Sequence, residues 1–288
     1  MIGDVVGKPG RRIVRKALPG LIERESLDLV VANGENAAGG SGLTCNNYRE
    51  LIQAGVDGIT LGDHVYKRRE IVGVLNGEDN IVKPANFPET APGRNLMLLP
   101  AKNGETVAVF CALGRLFMRP VDCPWTAAER VLAEVPDTVK IILVDFHAET
   151  TSEMQLMGRF LDGKATAVLG THTHVATADE QILPGGTAFQ CDVGMTGPHE
   201  SILGRRVDRV MEATLTFYPR DFEVATNDVR MCGTIVDLDP ATGKATAIRR
   251  LCVREEEAEE LAAAARRSKR SQKQSPSKQS PSEQSPSE

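Results

Sequence analysis

The chain has 288 residues, 41% of them hydrophobic and 25% charged, with a formal net charge of −5. Those proportions are ordinary for a soluble globular protein, and the length allows one large domain or two small ones with a sizeable core. The acidic balance argues against a general nucleic-acid coat or a binder of anionic membranes, though not against a local basic pocket.

Residues 1–4 read as the end of a strand running into Gly3-Asp4-Val5-Val6-Gly7-Lys8-Pro9-Gly10. Pro9 suits the first turn of a helix. Ile13, Val14, Ala17, Leu18, Leu21 and Ile22 keep helical spacing after it, with Pro19 expected to kink or restart the helix. A second strand, 28–32, ends in Asn33-Gly34-Glu35-Asn36. A glycine-rich loop then leads to a helix near 47–54, and a third strand, 58–61, ends in Gly62-Asp63-His64. This β-α-β-α-β rhythm argues for a parallel sheet covered by helices.

In the middle, 96–99 and 106–111 flank Lys102-Asn103-Gly104-Glu105, a hairpin signal. A helix near 126–134 precedes the strand 139–144, which ends in Asp145-Phe146-His147-Ala148-Glu149. A helix at about 152–160 and the strand 164–169 follow, and that strand ends in Gly170-Thr171-His172-Thr173-His174. Thr187–Gln190 reads as a further strand, and 229–238 with 244–252 as a second hairpin. Residues 255–267 form an Ala/Glu-rich helix, marginal on its own. From Ser268 the composition collapses to Ser, Lys, Gln, Pro and Glu, as in disordered tails. The expected organisation is one domain over 1–252 and a marginal helix with a disordered tail over 253–288.

Six cysteines (45, 111, 123, 191, 232 and 252) are scattered with no C-x-x-C pair, which points to reduced, mostly buried thiols. No secretory apolar region or membrane-length apolar run occurs, so a cytoplasmic location and no membrane partner are expected. No stable nucleic-acid partner is expected, and a homo-oligomer is left open.

Five strand ends carry metal-type residues: Asp4, Glu35 with Asn36, Asp63 with His64, His147, and His172 with His174. In open parallel sheets the carboxyl ends of strands share one edge, where sites form. Residues i and i+2 of an extended segment point the same way, so His172 and His174 are expected to share a face. Taken singly, each residue is as compatible with a cap, a turn or a satisfied core histidine. Five together favour a centre of mixed carboxylate and imidazole ligands, suited to Fe, Mn or Zn. Two such metals make a clamp for displacement at phosphorus.

Gly-Asp, Gly-Glu-Asn, Gly-Asp-His, Phe-His-Ala-Glu and Gly-Thr-His-Thr-His together resemble the motif series of calcineurin-like metallophosphoesterases. Within them the likeness is to the bacterial YmdB-like group, known for phosphodiesterase activity on 2′,3′-cyclic nucleotides. Residues 32–40 and Asp192-Val193-Gly194-Met195-Thr196-Gly197-Pro198 carry it further, over roughly 2–252. The resemblance implies an α/β layout of mixed β-sheets flanked by helices, with a dinuclear site at strand ends. It implies one metal on Asp4, Glu35, Asn36 and His174, and a second on bridging Glu35 with Asp63, His147 and His172. The metals are expected to be iron, with manganese a substitute. A metal-bridging hydroxide would attack, and His64 would protonate the leaving alkoxide. Position 63 is Asn in that group and Asp here. The resemblance also implies a longer first strand than Met1 and Ile2 supply.

Other polar residues are weaker candidates. His199 is expected at a rim or in solvent. Asp145, Glu149 and Asp179 could orient imidazoles or equally serve as caps. Arg115 and Arg119 could meet phosphate or be plain surface charge, and Trp125 and Phe117 read as core.

Overall fold

The structure, a computed structural model, describes residues 1–274, and side chains to residue 268. The chain opens with β1 (Asp4–Val5), α1 (Gly7–Arg24), β2 (Val31–Asn33), α2 (Cys45–Ala54), β3 (Gly58–Thr60) and α3 (Ile71–Gly77). The hairpin β4 (Met97–Pro100) and β5 (Thr106–Leu113) follows, then α4 (Pro124–Glu134), β6 (Ile141–His147), α5 (Thr151–Phe160) and β7 (Ala167–Thr171). Next come β8 (Gln181–Ile182), β9 (Ala188–Gln190), β10 (Met195–Pro198) and α6 (Val207–Thr216). Last are β11 (Val229–Asp239), β12 (Lys244–Arg254) and α7 (Glu255–Gln274).

Two sheets stack face to face. One runs β4-β5-β6-β7-β9-β8, parallel from β5 to β9 and antiparallel at its edges. The other runs β1-β10-β11-β12. Ile2 bridges to Ala32 and to Gly233, tying the parallel pair β2-β3 to that sheet.

Alternation along the strands builds the layers. In β6, Ile142, Val144 and Phe146 pack among residues of α4 and α5, while Ile141 and Leu143 face the space between the sheets. In β2, Ala32 faces α1, α2 and α7, and Val31 faces the inter-sheet layer of Val82, Met97, Leu99, Val107 and Val109.

α1 passes through Pro19 as one helix, without the expected restart. The missing N–H removes one helical bond, and burial of Leu18 and Leu21 on either side holds the helix together. α7 continues past Ser268 to Gln274, beyond the point where the composition was expected to end structure. Ala258, Leu261 and Ala265 are buried, and the first two join the core beside α1. The rest of the expected tail, 275–288, lies outside the described residues. At the amino ends of the strands, a cavity of about 280 Å³ is lined by Met1, Leu18, Leu27, Val236 and Leu238 among others. No helix among the described residues is long and apolar enough to cross a membrane.

Candidate metal centre

The alternation that buries Ile141 and Leu143 between the sheets also places Asp145 and His147 on that face, at the carboxyl end of β6. Asn33 continues the face of Val31 in β2, and Thr171 that of Leu169 in β7. The apolar filling stops there and a polar cluster takes over. Asp145, fully buried, accepts from Thr60 Oγ1 (2.5 Å), Asn33 Nδ2 (3.0 Å) and Thr171 Oγ1 (2.6 Å). Burial pushes its carboxyl up to about 6, against those bonds and the charge of His147. The Thr171 hydroxyl also lies 2.8 Å from His147 Nδ1, so Asp145 fixes that ring through the threonine.

Above this layer the metal-type residues converge. Glu35, buried, sets Oε1 3.2 Å from His147 Nε2 and 3.4 Å from His64 Nδ1, and Oε2 accepts from the His64 N–H at 3.1 Å. Asp63 Oδ1 is 3.3 Å from His147 Nε2 and 3.7 Å from His172 Nδ1. The facing nitrogens of His147 and His172 are 3.0 Å apart. Glu35, Asp63, His147 and His172 each offer one donor atom, and all four atoms lie within 4.8 Å of one another. Beside them, the buried Asp4 stands 3.7 Å from His174 Nε2, and Asn36 Nδ2 lies 3.2–3.3 Å from Asp4, Glu35 and His174. Asp4 and Glu35, both buried, and the partly buried Asp63 repel one another, and among the described residues it is imidazoles that lie within ion-pair distance of them. The donor set therefore fits cations of the N/O-binding transition-metal class.

Asn36 turns its oxygen to His64 Nδ1 (3.0 Å) and its nitrogen to the ligand-type atoms. To offer oxygen to a metal there, the amide must turn over. Burial and the charge of Asp63 oppose ionisation of Glu35, but His147 and His64 together outweigh them and the carboxyl falls to about 2. A hydrogen bond with Glu35 raises the His64 pKa, with desolvation acting the other way. Gly62 makes the crowding possible. A Cβ there would sit 2.3 Å from Glu35 Oε2 and 2.4 Å from His147 Nε2.

The His-x-His segment differs from expectation. β7 ends at Thr171, and His172 and His174 have φ of 110° and 64°, so they are not successive residues of one extended face. His172 reaches His147 and Glu149 (Nε2 to Oε2, 3.1 Å), whereas His174 reaches Asp4, with Nδ1 on the Leu203 carbonyl at 3.1 Å. Asp192 holds the segment between them. Its Oδ2 accepts from Thr173 N (2.8 Å) and Oγ1 (2.9 Å), and its Oδ1 from Gly194 N. Burial, then the charge of Asp4, pushes the Asp192 carboxyl up to about 7.

Among the weaker candidates, Asp145 and Glu149 do orient imidazoles, while Asp179 accepts from the Cys191 N–H instead. Arg115 and Arg119 lie over the rings of Trp125 and Phe87. Trp125 packs partly buried against the core, but Phe117 is 90% exposed, turned outward by a left-handed backbone of φ 59°. His199 is half-buried, with Nε2 3.1 Å from the Met195 carbonyl. Asn33, Thr60 and Thr171 were not legible as site residues, and Asp192 was read only as part of a matching motif. Their residue types are ordinary, and only the topology brings them to the histidines.

The family model of YmdB-like proteins matches residues 1–251. The chain belongs to this family. A Bacillus subtilis (strain 168) protein named 2′,3′-cyclic-nucleotide 2′-phosphodiesterase is 44% identical over 255 residues, covering 88% of this chain and 96% of that one. The crystal structure of a hypothetical protein from Thermus thermophilus superposes with a TM-score of 0.83 at 42% identity, covering 88% of this chain and 98% of that one. That of a Mycoplasma pneumoniae phosphatase gives 0.82 at 30% identity, covering 88% and 92%. The YmdB-like chain thus has the mixed α/β metallophosphoesterase layout expected from its motifs.

Proposed function

We propose that this YmdB-like chain is a metal-dependent phosphodiesterase that hydrolyses 2′,3′-cyclic nucleotides in the cytoplasm. The observation that carries the reading is the position of Glu35. Its carboxylate lies within 3.2 Å of both His147 Nε2, on one side, and Asn36 Nδ2, on the other, between two groups of donor atoms. Asp4, Glu35, Asn36 and His174 would hold one ion, and Glu35, Asp63, His147 and His172 a second, with iron or manganese suited to the mixed donors. Bound there, the ions would supply Lewis acidity at the phosphoryl group and lower the pKa of an attacking water. The relative's activity on a 2′,3′-cyclic nucleotide supports the substrate class.

The chain's own residues do the rest. His64, half-buried and raised in pKa by Glu35, stays protonated nearer neutrality than a free imidazole, as a donor to a leaving ribose oxygen requires. Asp145 and Thr171 fix the His147 ring, Glu149 fixes His172, and Asp192 fixes the backbone between His172 and His174. The test is metal analysis of the purified chain beside turnover of a 2′,3′-cyclic nucleotide, a phosphomonoester and a short RNA. Faster turnover of the monoester or the RNA would replace the substrate class. Absence of turnover in metal-loaded protein would leave a metal- or nucleotide-binding role.

A further inference from the structure

Away from the metal centre, the β11–β12 ladder sets two cysteines directly opposite each other. Cys232 pairs with Cys252, and their sulfurs are 3.8 Å apart. The N–H of Cys232 goes to Thr196 Oγ1, and its carbonyl accepts from Gly3 N and Thr196 Oγ1. Both backbone groups therefore point away from β12. That makes 232–252 a non-hydrogen-bonded pair, the closely spaced kind with Cα atoms about 4.5 Å apart. This separation falls inside the disulfide range of roughly 4.4–6.8 Å, so a bond can form by side-chain rotation alone.

The two thiols are unequal in access. Cys232 is 3% exposed, whereas Cys252 is open to solvent. Arg230 and Arg254, themselves opposite each other in the ladder, flank the pair, and Asp228 sits beside both guanidinium groups. His199 Nε2 lies 3.7 Å from the Cys232 sulfur. We propose that Cys252 and Cys232 form a peroxide-reactive dithiol, with Cys252 the attacking and Cys232 the resolving thiol. The Cys232 thiol, as hydrogen-bond partner, and the two arginines depress the Cys252 pKa to about 6, against its burial and the charge of Asp228. A low-pKa, accessible thiol beside a resolving thiol is the arrangement that favours reversible oxidation.

The chemistry balances with hydrogen peroxide as the oxidant. The Cys252 thiolate attacks one peroxide oxygen, forming S–O and breaking O–O, and the departing hydroxide takes a proton to leave as water. The Cys232 sulfur then attacks the Cys252 sulfenic acid, forming S–S and breaking S–O. The second hydroxide leaves with the Cys232 proton as water. Two thiols are oxidised to one disulfide, and one peroxide is reduced to two waters.

The remaining four cysteines provide the comparison. Cys111 and Cys191 are buried with raised pKa values, and the partly buried Cys45 and Cys123 stand apart at the starts of α2 and α4, the Cys123 pKa being lowered by the Thr126 N–H. The experiment treats the purified full chain with equimolar hydrogen peroxide and maps its peptides with and without dithiothreitol. A dithiothreitol-reversible Cys232–Cys252 link is expected in the wild type. Cys232→Ser should stop at a sulfenic acid on Cys252 that dimedone traps. Cys252→Ser, a change at an exposed position, should leave Cys232 unoxidised. Oxidation of Cys123 with no Cys232–Cys252 link, or equal oxidation of Cys232 in Cys252→Ser, would overturn the assignment.

Discussion

Oδ1 of Asp63 stands 3.3 Å from Nε2 of His147, at the end of a buried ring whose other nitrogen is held by Thr171. Burial disfavours the Asp63 carboxylate, but His147, with His64 and His172, outweighs it and keeps the group below the usual carboxylate range. Asn is nearly isosteric and can still offer an oxygen, yet it takes the centre from three carboxylates (Asp4, Glu35, Asp63) to two. A less negative site should attract an anionic phosphodiester better and retain one metal less tightly. Asp63→Asn is therefore expected to raise kcat/KM near neutral pH and to lose one metal more readily to a chelator. Asp63 also lies 3.7 Å from His64 Nε2 and raises that pKa after Glu35 and against burial. Its removal should move the alkaline limb of the rate profile, where the acid loses its proton, to lower pH. Slower turnover at every pH with metals fully loaded would refute the charge account.

His64→Ala should keep the metals and lose rate by roughly 10²- to 10⁴-fold, the usual range for a general acid. The loss should shrink with an aryl leaving group, which needs little protonation. Equal losses for aryl and ribose leaving groups would exclude the proton-donor role.

Gly62→Ala tests how tightly the centre is built. The new methyl would overlap the Glu35 carboxylate and the His147 ring, both buried and held by several partners. Overpacking of this kind costs about 1–3 kcal/mol, and here it also displaces two of the four clustered donors. The expected outcome is a lower urea midpoint together with loss of bound metal. Full metal content and wild-type turnover in this variant would show that the centre yields freely.

Much of the fold was legible because its signals are local. The Asn103-Gly104 hairpin, the Asp239–Gly243 hairpin and the β-α-β alternation each follow from periodicity and turn residues within a short window. β10 was not read, since Met195-Thr196-Gly197-Pro198 is four residues with Gly and Pro in it. α6 was missed although Val207, Val210, Met211 and Leu215 recur at helical spacing, and in the structure that stripe is not buried. In the centre, the strand-end histidines and carboxylates stood out by residue type. Thr171 did not, because its contacts with Asp145 and His147 exist only once β6 and β7 are paired, nor did Asp192, whose hold on Thr173 needs β9 beside β7.

The left-handed backbone at His172 and His174 bears on whether this motif can be transplanted. A protein engineer copying Gly-Thr-His-Thr-His onto the end of another strand would obtain two imidazoles on an extended backbone, aimed side by side. Here the two rings diverge, one toward His147 and the other toward Asp4, because Asp192 grips Thr173 between them. Non-glycine residues adopt positive φ only at a cost that surrounding structure must offset. The smallest portable unit is therefore the pentapeptide together with the Asp192 segment and the β7–β9 pairing that brings it into place.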